Sequence, residues 1–121
     1  MDKQNFEFKR NLTFDERKKQ SKGMRRLYSD KTPIIIEKYR SEKQLPIIDR
    51  NRYLVPQHLP CYKLVEIVRR RLTLHPNQAL FLLAGGNSLV SNSTSVGEVA
   101  EQFRDPDGFL YIVYASQETF G

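Results

Sequence analysis

The sequence predicts an α+β fold built as one domain. Three observations carry this. Short runs rich in β-branched and aromatic residues alternate with capped or amphipathic helical segments. One segment in mid-chain has the apolar spacing of a single helical face. Finally, 121 residues with 39% hydrophobic content suit one modest core, since folding units typically hold ~100–200 residues.

From the N-terminus, Phe6 and Phe8 lie in a stretch that reads as a short helix or an arm. Thr13-Phe14-Asp15-Glu16 has Thr followed three residues later by Glu, the capping-box order, and the charged segment behind it predicts a helix to about residue 27. Its apolar positions are few: Phe14, Met24 and Leu27 give a narrow contact stripe, and Gly23 weakens the helix. The run Lys31-Thr32-Pro33-Ile34-Ile35-Ile36-Glu37-Lys38-Tyr39 predicts a largely buried strand, with proline near its start where a missing N–H is tolerated. Arg40-Ser41-Glu42-Lys43 follows as a polar turn.

Residues 45–49 lead into Arg50-Asn51-Arg52-Tyr53-Leu54-Val55-Pro56, a second strand that returns as hairpin partner of the first. Period-two spacing sends Arg52, Leu54 and Pro56 to one face and Tyr53 and Val55 to the other. At a sheet edge, its free N–H and C=O groups would pair with an extended peptide. The alternative is an ordinary half-buried strand with solvated arginines.

Leu64, Ile67, Val68 and Leu72 mark one face of a helix over 60–72, with Pro60 suited to its first position. Residues 79–84 read as a central strand ending at Gly85-Gly86-Asn87, Leu89-Val90 as a brief strand, and Ser95 with Glu98 as the capping box of a short helix to Phe103. After the turn Asp105-Pro106-Asp107-Gly108, residues 109–114 form a strong strand, and 117–121 an exposed tail. The succession helix, β-β, helix, β, short helix, β describes a β-grasp with a helical N-terminal addition over 1–30 and a core over 31–116.

Charge is unevenly spread. Residues 1–31 hold ten Lys/Arg and five Asp/Glu, against ten and nine in the remainder. Such a basic arm suits nucleic acid, an anionic membrane surface or an acidic protein partner such as tubulin, or it is a solvated helix. Nucleic acid is disfavoured, because the usual recognition modules are absent and Arg69-Arg70-Arg71 fan out about 100° apart on a helix.

The remaining chemistry is sparse. Cys61 is the single cysteine, so no disulfide framework or multi-cysteine zinc site forms, which fits a reducing, cytoplasmic setting. No apolar run approaches the roughly 18–20 residues of a membrane span, and the N-terminus lacks a signal-peptide core. Asn11-Leu12-Thr13 and Asn92-Ser93-Thr94 match the glycosylation sequon but would stay unmodified there. Cys61 and His58 make a poor case for a nucleophile and its base, Gly85-Gly86-Asn87-Ser88 lacks the P-loop lysine, and Asp105 with Asp107 has too few oxygens for a calcium loop. No enzyme, cofactor or metal is expected.

Taken together, Lys31 to Tyr39, Glu42-Lys43-Gln44-Leu45-Pro46, Tyr53-Leu54-Val55-Pro56, Ile67-Val68-Arg69-Arg70-Arg71-Leu72 and Asp107-Gly108-Phe109-Leu110-Tyr111 resemble the autophagy ubiquitin-like modifier family. The ending Tyr114-Ala115-Ser116-Gln117-Glu118-Thr119-Phe120-Gly121 resembles its microtubule-associated protein light chain three branch.

The resemblance implies a ubiquitin-like core with two N-terminal helices. It further implies a modifier whose Gly121 is activated and joined to phosphatidylethanolamine, moving the protein from cytoplasm to autophagosomal membranes. The partners would be activating and conjugating enzymes, a processing or delipidating cysteine protease, and receptors carrying aromatic-x-x-aliphatic motifs.

By position, the resemblance assigns Met24, Pro33, Ile35, Arg52, Leu54 and Phe109 to a first receptor pocket, for the aromatic side chain. Tyr53, Val55, Pro56, Leu64 and Ile67 fall to a second pocket, for the aliphatic one. Arg50, Arg52 and Arg71 would meet acidic flanks. Gln20 stands where close relatives carry an acidic residue, and Asn11-Leu12 replaces part of a basic pair.

Overall fold

The computed structural model describes residues 4–85 and 87–117. Elements follow in the order α1 (Glu7–Asn11), α2 (Phe14–Leu27), β1 (Lys31–Lys38), β2 (Arg52–Pro56), α3 (Cys61–Leu72), β3 (Phe81–Ala84), β4 (Ser88–Leu89), α4 (Val96–Phe103) and β5 (Leu110–Ala115). Both capping boxes form: Thr13 Oγ1 accepts from Glu16 N–H at 3.2 Å, and Ser95 Oγ from Glu98 N–H at 3.2 Å, satisfying donors that open each helix.

The five strands lie in the order β2-β1-β5-β3-β4. β1 pairs antiparallel with β2 and parallel with β5, so the strand at the end of the chain sits in the middle of the sheet. Pro33 costs no hydrogen bond there, because the β5 pairing begins one residue later at Ile34. Alternation along the buried strands divides the core. Ile34, Ile36, Leu110, Ile112 and Tyr114 face α3 and α4, whereas Ile35, Phe109 and Tyr111 face Phe8 of α1 and Met24 of α2.

Several expectations are corrected. The second strand is shorter than the sequence suggests, covering only Arg52–Pro56. Residues 45–51 run irregularly because Leu45 and Ile48 bury in the core while the Tyr114 hydroxyl donates to the Pro46 carbonyl at 2.6 Å and accepts from Ile48 N–H at 2.9 Å. Burial pushes the pKa of Tyr114 up to about 12. Pro60 is the N-cap of α3 rather than its first helical residue.

The turn at 40–43 is polar but not solvated throughout. The Glu42 side chain is buried and accepts from the N–H groups of Gln44, Leu45 and Ser116 at 2.7, 2.9 and 2.7 Å, and from the Ser116 hydroxyl. It thereby clasps the residue that follows β5.

On α2, Phe14 and Leu27 are exposed, and the side turned inward carries Arg17 and Ser21. Asp107 explains this. Its buried carboxylate accepts from Arg17 Nε at 2.8 Å, from the Tyr111 hydroxyl and from Phe109 N–H at 2.9 Å, while its carbonyl accepts from the Ser21 hydroxyl. Arg17 also donates to the Leu12 carbonyl at 2.7 Å. α2 is therefore held to the sheet by a satisfied polar hub more than by an apolar stripe.

Candidate functional site: an edge strand between two clusters

β2 lies at the sheet edge and pairs only with β1 among the described residues. Ile36 N–H donates to the Asn51 carbonyl at 2.7 Å. By the alternation of an antiparallel ladder, Asn51, Tyr53 and Val55 then turn their backbone groups toward β1, and Arg52 and Leu54 turn theirs outward. Those outward N–H and C=O groups are what an extended peptide can pair with.

The side chains of β2 divide between the sheet's two faces. Val55 is buried in the cluster under α3 and Tyr53 packs against it, whereas Arg52 reaches α2. On the α2 side, Met24, Ile35 and Phe109 share one cluster, and Pro33 stands opposite Leu54 in register. Ile35 and Phe109 are fully buried, so they form a floor; Met24 and Leu54, half-buried, are the walls that reach the surface.

Arg52 Nη1 donates to Gln20 Oε1 at 2.7 Å and so crosses from β2 to α2. Because Gln20 is uncharged, this is a weaker tie than an ion pair and yields more readily to an incoming group.

On the α3 side, Leu64 is 1% exposed and serves as floor, with Tyr53 half-buried against the same cluster and Ile67 half-buried on α3. Pro56, also half-buried, falls by strand alternation on the other face with Arg52 and Leu54, so the expected place in the second pocket is not where alternation puts it. The Tyr53 hydroxyl is buried without a hydrogen-bond partner among the described residues, and burial raises its pKa while Arg71 opposes the rise.

At the rim, Arg50 is exposed. Arg71 is not a free cation: its Nε and Nη2 lie 3.2 and 2.8 Å from the two oxygens of Asp49. An acidic flank would have to displace Asp49, a partner that sequence spacing gave no reason to choose. Beyond the start of β2, a groove of about 750 Å³ sets three cations, Arg10, Lys38 and Arg40, against three carboxylates, Glu7, Glu37 and Asp49, so it adds no net positive charge to the rim. The Glu37 carboxylate accepts from Glu7 N–H at 2.8 Å and Phe8 N–H at 3.0 Å, holding the start of α1 there. Gly121 lies outside the described residues.

Cys61 is buried, and burial pushes its thiol pKa up, the opposite of what a nucleophile needs. Among the described residues no group of three or more His, Cys, Asp or Glu could hold a metal ion, and no helix is long and apolar enough to cross a membrane.

An antiparallel β1–β2 hairpin, a parallel β1–β5 pair at the sheet's centre and α3 packed across one face define a ubiquitin-like α+β protein, here with α1 and α2 on the opposite face. The profile described as "Autophagy protein Atg8 ubiquitin like" matches residues 16–121, and the chain belongs to that family. It is 49% identical to Protein lgg-2 of Caenorhabditis elegans over 94% of this chain and 88% of that one. It is 39% identical to human microtubule-associated protein 1 light chain 3 gamma, over 94% and 78% respectively. The crystal structure of Trypanosoma brucei ATG8 superposes with a TM-score of 0.90 at 30% identity, covering 98% of this chain and all of that one. By family the chain is an autophagy-related ubiquitin-like modifier.

Proposed function

We propose that the chain is conjugated through Gly121 to phosphatidylethanolamine and, from autophagosomal membranes, recruits receptors and adaptors bearing aromatic-x-x-aliphatic motifs. The observation that carries the docking half is β2 itself: outward backbone groups on Arg52 and Leu54, with an apolar cluster on either side. Backbone pairing sets the register of the peptide. The Met24–Leu54 side receives the aromatic residue and the Tyr53–Ile67 side the aliphatic one. Arg50 and Arg52 speed encounter with acidic flanks, and Arg71 joins once Asp49 is displaced.

The conjugation half rests on family membership, the match of residues 16–121 taking in Gly121. An activating enzyme turns the Gly121 carboxylate into an acyl donor, and a conjugating enzyme passes the acyl group to the headgroup amine, forming an amide. Glycine leaves a narrow enzyme channel unobstructed. A two-chain lipid makes the anchor firm. A cysteine protease reverses the attachment. Incubation with the activating and conjugating enzymes, nucleotide and phosphatidylethanolamine liposomes should give a lipid adduct on Gly121 by mass spectrometry; its absence refutes this half. Calorimetry with a motif peptide tests the other.

A further inference from the structure

On the flank of α2 away from β2, a groove of about 520 Å³ is lined by Lys18, Lys22, Arg25 and Arg26, with Ser29 and Asp107 also on its wall. The carboxylate of Asp107 is already engaged by Arg17 at 2.8 Å and by Tyr111. Four cations thus face a groove whose lining offers no uncommitted anion. Close by, Arg104 has its Nε buried without a hydrogen-bond partner among the described residues, and Arg25 adds its repulsion to the burial that disfavours the Arg104 charge.

The segment that carries Ser29 is tied at its far end, where the Asp30 carbonyl accepts from Gln57 N–H at 3.0 Å, but is loosely held before that point. Residues 25–30 are exposed without interruption, Leu27 at 77%. The last helical bond is Tyr28 N–H to the Met24 carbonyl at 2.9 Å, and Ser29 then enters a turn closed by Lys31 N–H on the Tyr28 carbonyl at 3.0 Å. Unwinding this last turn gives up few packing contacts, so the chain can extend locally. Extended, it presents Arg25 and Arg26 four and three residues ahead of a serine hydroxyl, the arrangement that an acidic kinase cleft selects.

We propose that Ser29 is a phosphorylation site for a basophilic serine kinase and that the α2 groove takes up the phosphate. Transfer forms the Ser29 Oγ–P bond, breaks the bond between the β- and γ-phosphates of a nucleoside triphosphate, and passes the hydroxyl proton to the kinase's base. The product carries about −1.5 to −2 charge near neutral pH. The C-terminal end of the α2 dipole opposes it with about half a unit charge, whereas the groove offers four whole ones. Phosphorylation therefore roughly halves the positive charge of this flank and stiffens the α2–β1 turn.

The test uses the full chain with the catalytic subunit of cyclic-AMP-dependent protein kinase and magnesium ATP. Mass spectrometry should place a phosphate on Ser29, lost in Ser29→Ala, and Arg26→Gln should lower kcat/KM about tenfold by removing one charge-assisted contact. In a phosphorus NMR titration, the second phosphate pKa should fall about half a unit or more below that of the phosphorylated peptide spanning 22–33. Lys22→Gln should move it back toward the peptide value. No phosphate on Ser29 of the folded chain overturns the site, whether or not the peptide accepts one. A phosphate pKa equal to the peptide's overturns uptake by the groove.

Discussion

Replacing Asp107 by Asn changes almost no volume but removes the charge that holds α2 to the sheet. The Arg17 side chain is 11% exposed and that of Asp107 is 0% exposed, so the guanidinium is left largely buried beside an uncharged amide. Removing one partner of a buried pair destabilises by about 3–5 kcal/mol, and the slight solvent access of Arg17 places this case near the lower end, about 3 kcal/mol. A chain of this length loses roughly 3–5 °C per kcal/mol, which gives a fall in Tm of about 10–15 °C by calorimetry or circular dichroism. The double variant Arg17→Met/Asp107→Asn should be less destabilised than Asp107→Asn alone, because no charge is then stranded. An Asp107→Asn protein melting within about 1 kcal/mol of the parent would refute the hub, since an average point substitution costs that much.

Three further outcomes follow from the geometry. Leu54→Ala removes a wall of the first cluster and should weaken a motif peptide by roughly 1–3 kcal/mol in calorimetry with the fold intact; equal affinity would take Leu54 out of the site. Raising salt from about 0.1 to 1 M shortens the screening length from about 10 to 3 Å, so a peptide with acidic flanks should lose affinity while a neutral-flanked one holds. A similar salt response from both would remove Arg50 and Arg52 from the encounter. Tyr114, with its pKa raised to about 12 in the fold, binds its proton more tightly folded than unfolded, where it titrates near 10. Its stabilisation is complete below pH ~10 and should be lost as pH rises toward ~12, amounting to about 2–3 kcal/mol in alkaline melts; Tyr114→Phe should make the slope shallower without abolishing it, because burial also raises the pKa values of Tyr53 and Tyr111.

Much of this architecture is legible in the sequence because it obeys local rules. Both capping boxes, the one-faced spacing of α3 and the turns around β5 each follow from a few neighbouring residues. The edge position of β2 could be entertained from its pattern but not decided, since strand order depends on β5 inserting beside β1 from the far end of the chain. Pattern also favoured Phe14 and Leu27 as the contacts of α2, because apolar residues are the usual reporters of burial. Of the expected stripe only Met24 packs inward; the contact beside it is polar, and nothing local links Arg17 to Asp107 ninety residues away. The Arg71–Asp49 pair and the Glu42–Ser116 clasp were hidden for the same reason: each is made by folding, not by spacing.

Under the proposed conjugation of Gly121, the clasp would have a mechanical meaning. Tension on the tail enters the fold at Ser116 and runs along β5, which is bracketed by β1 on one side and β3 on the other. Two ladders are then loaded lengthwise together, a shear geometry in which many bonds share the pull instead of parting in sequence. A cargo docked on β2, as proposed, would pull on the edge strand two places from β5 in the same sheet. The line of force from anchor to load crosses only two strand pairs, from β5 to β1 and from β1 to β2, and leaves the helices outside it.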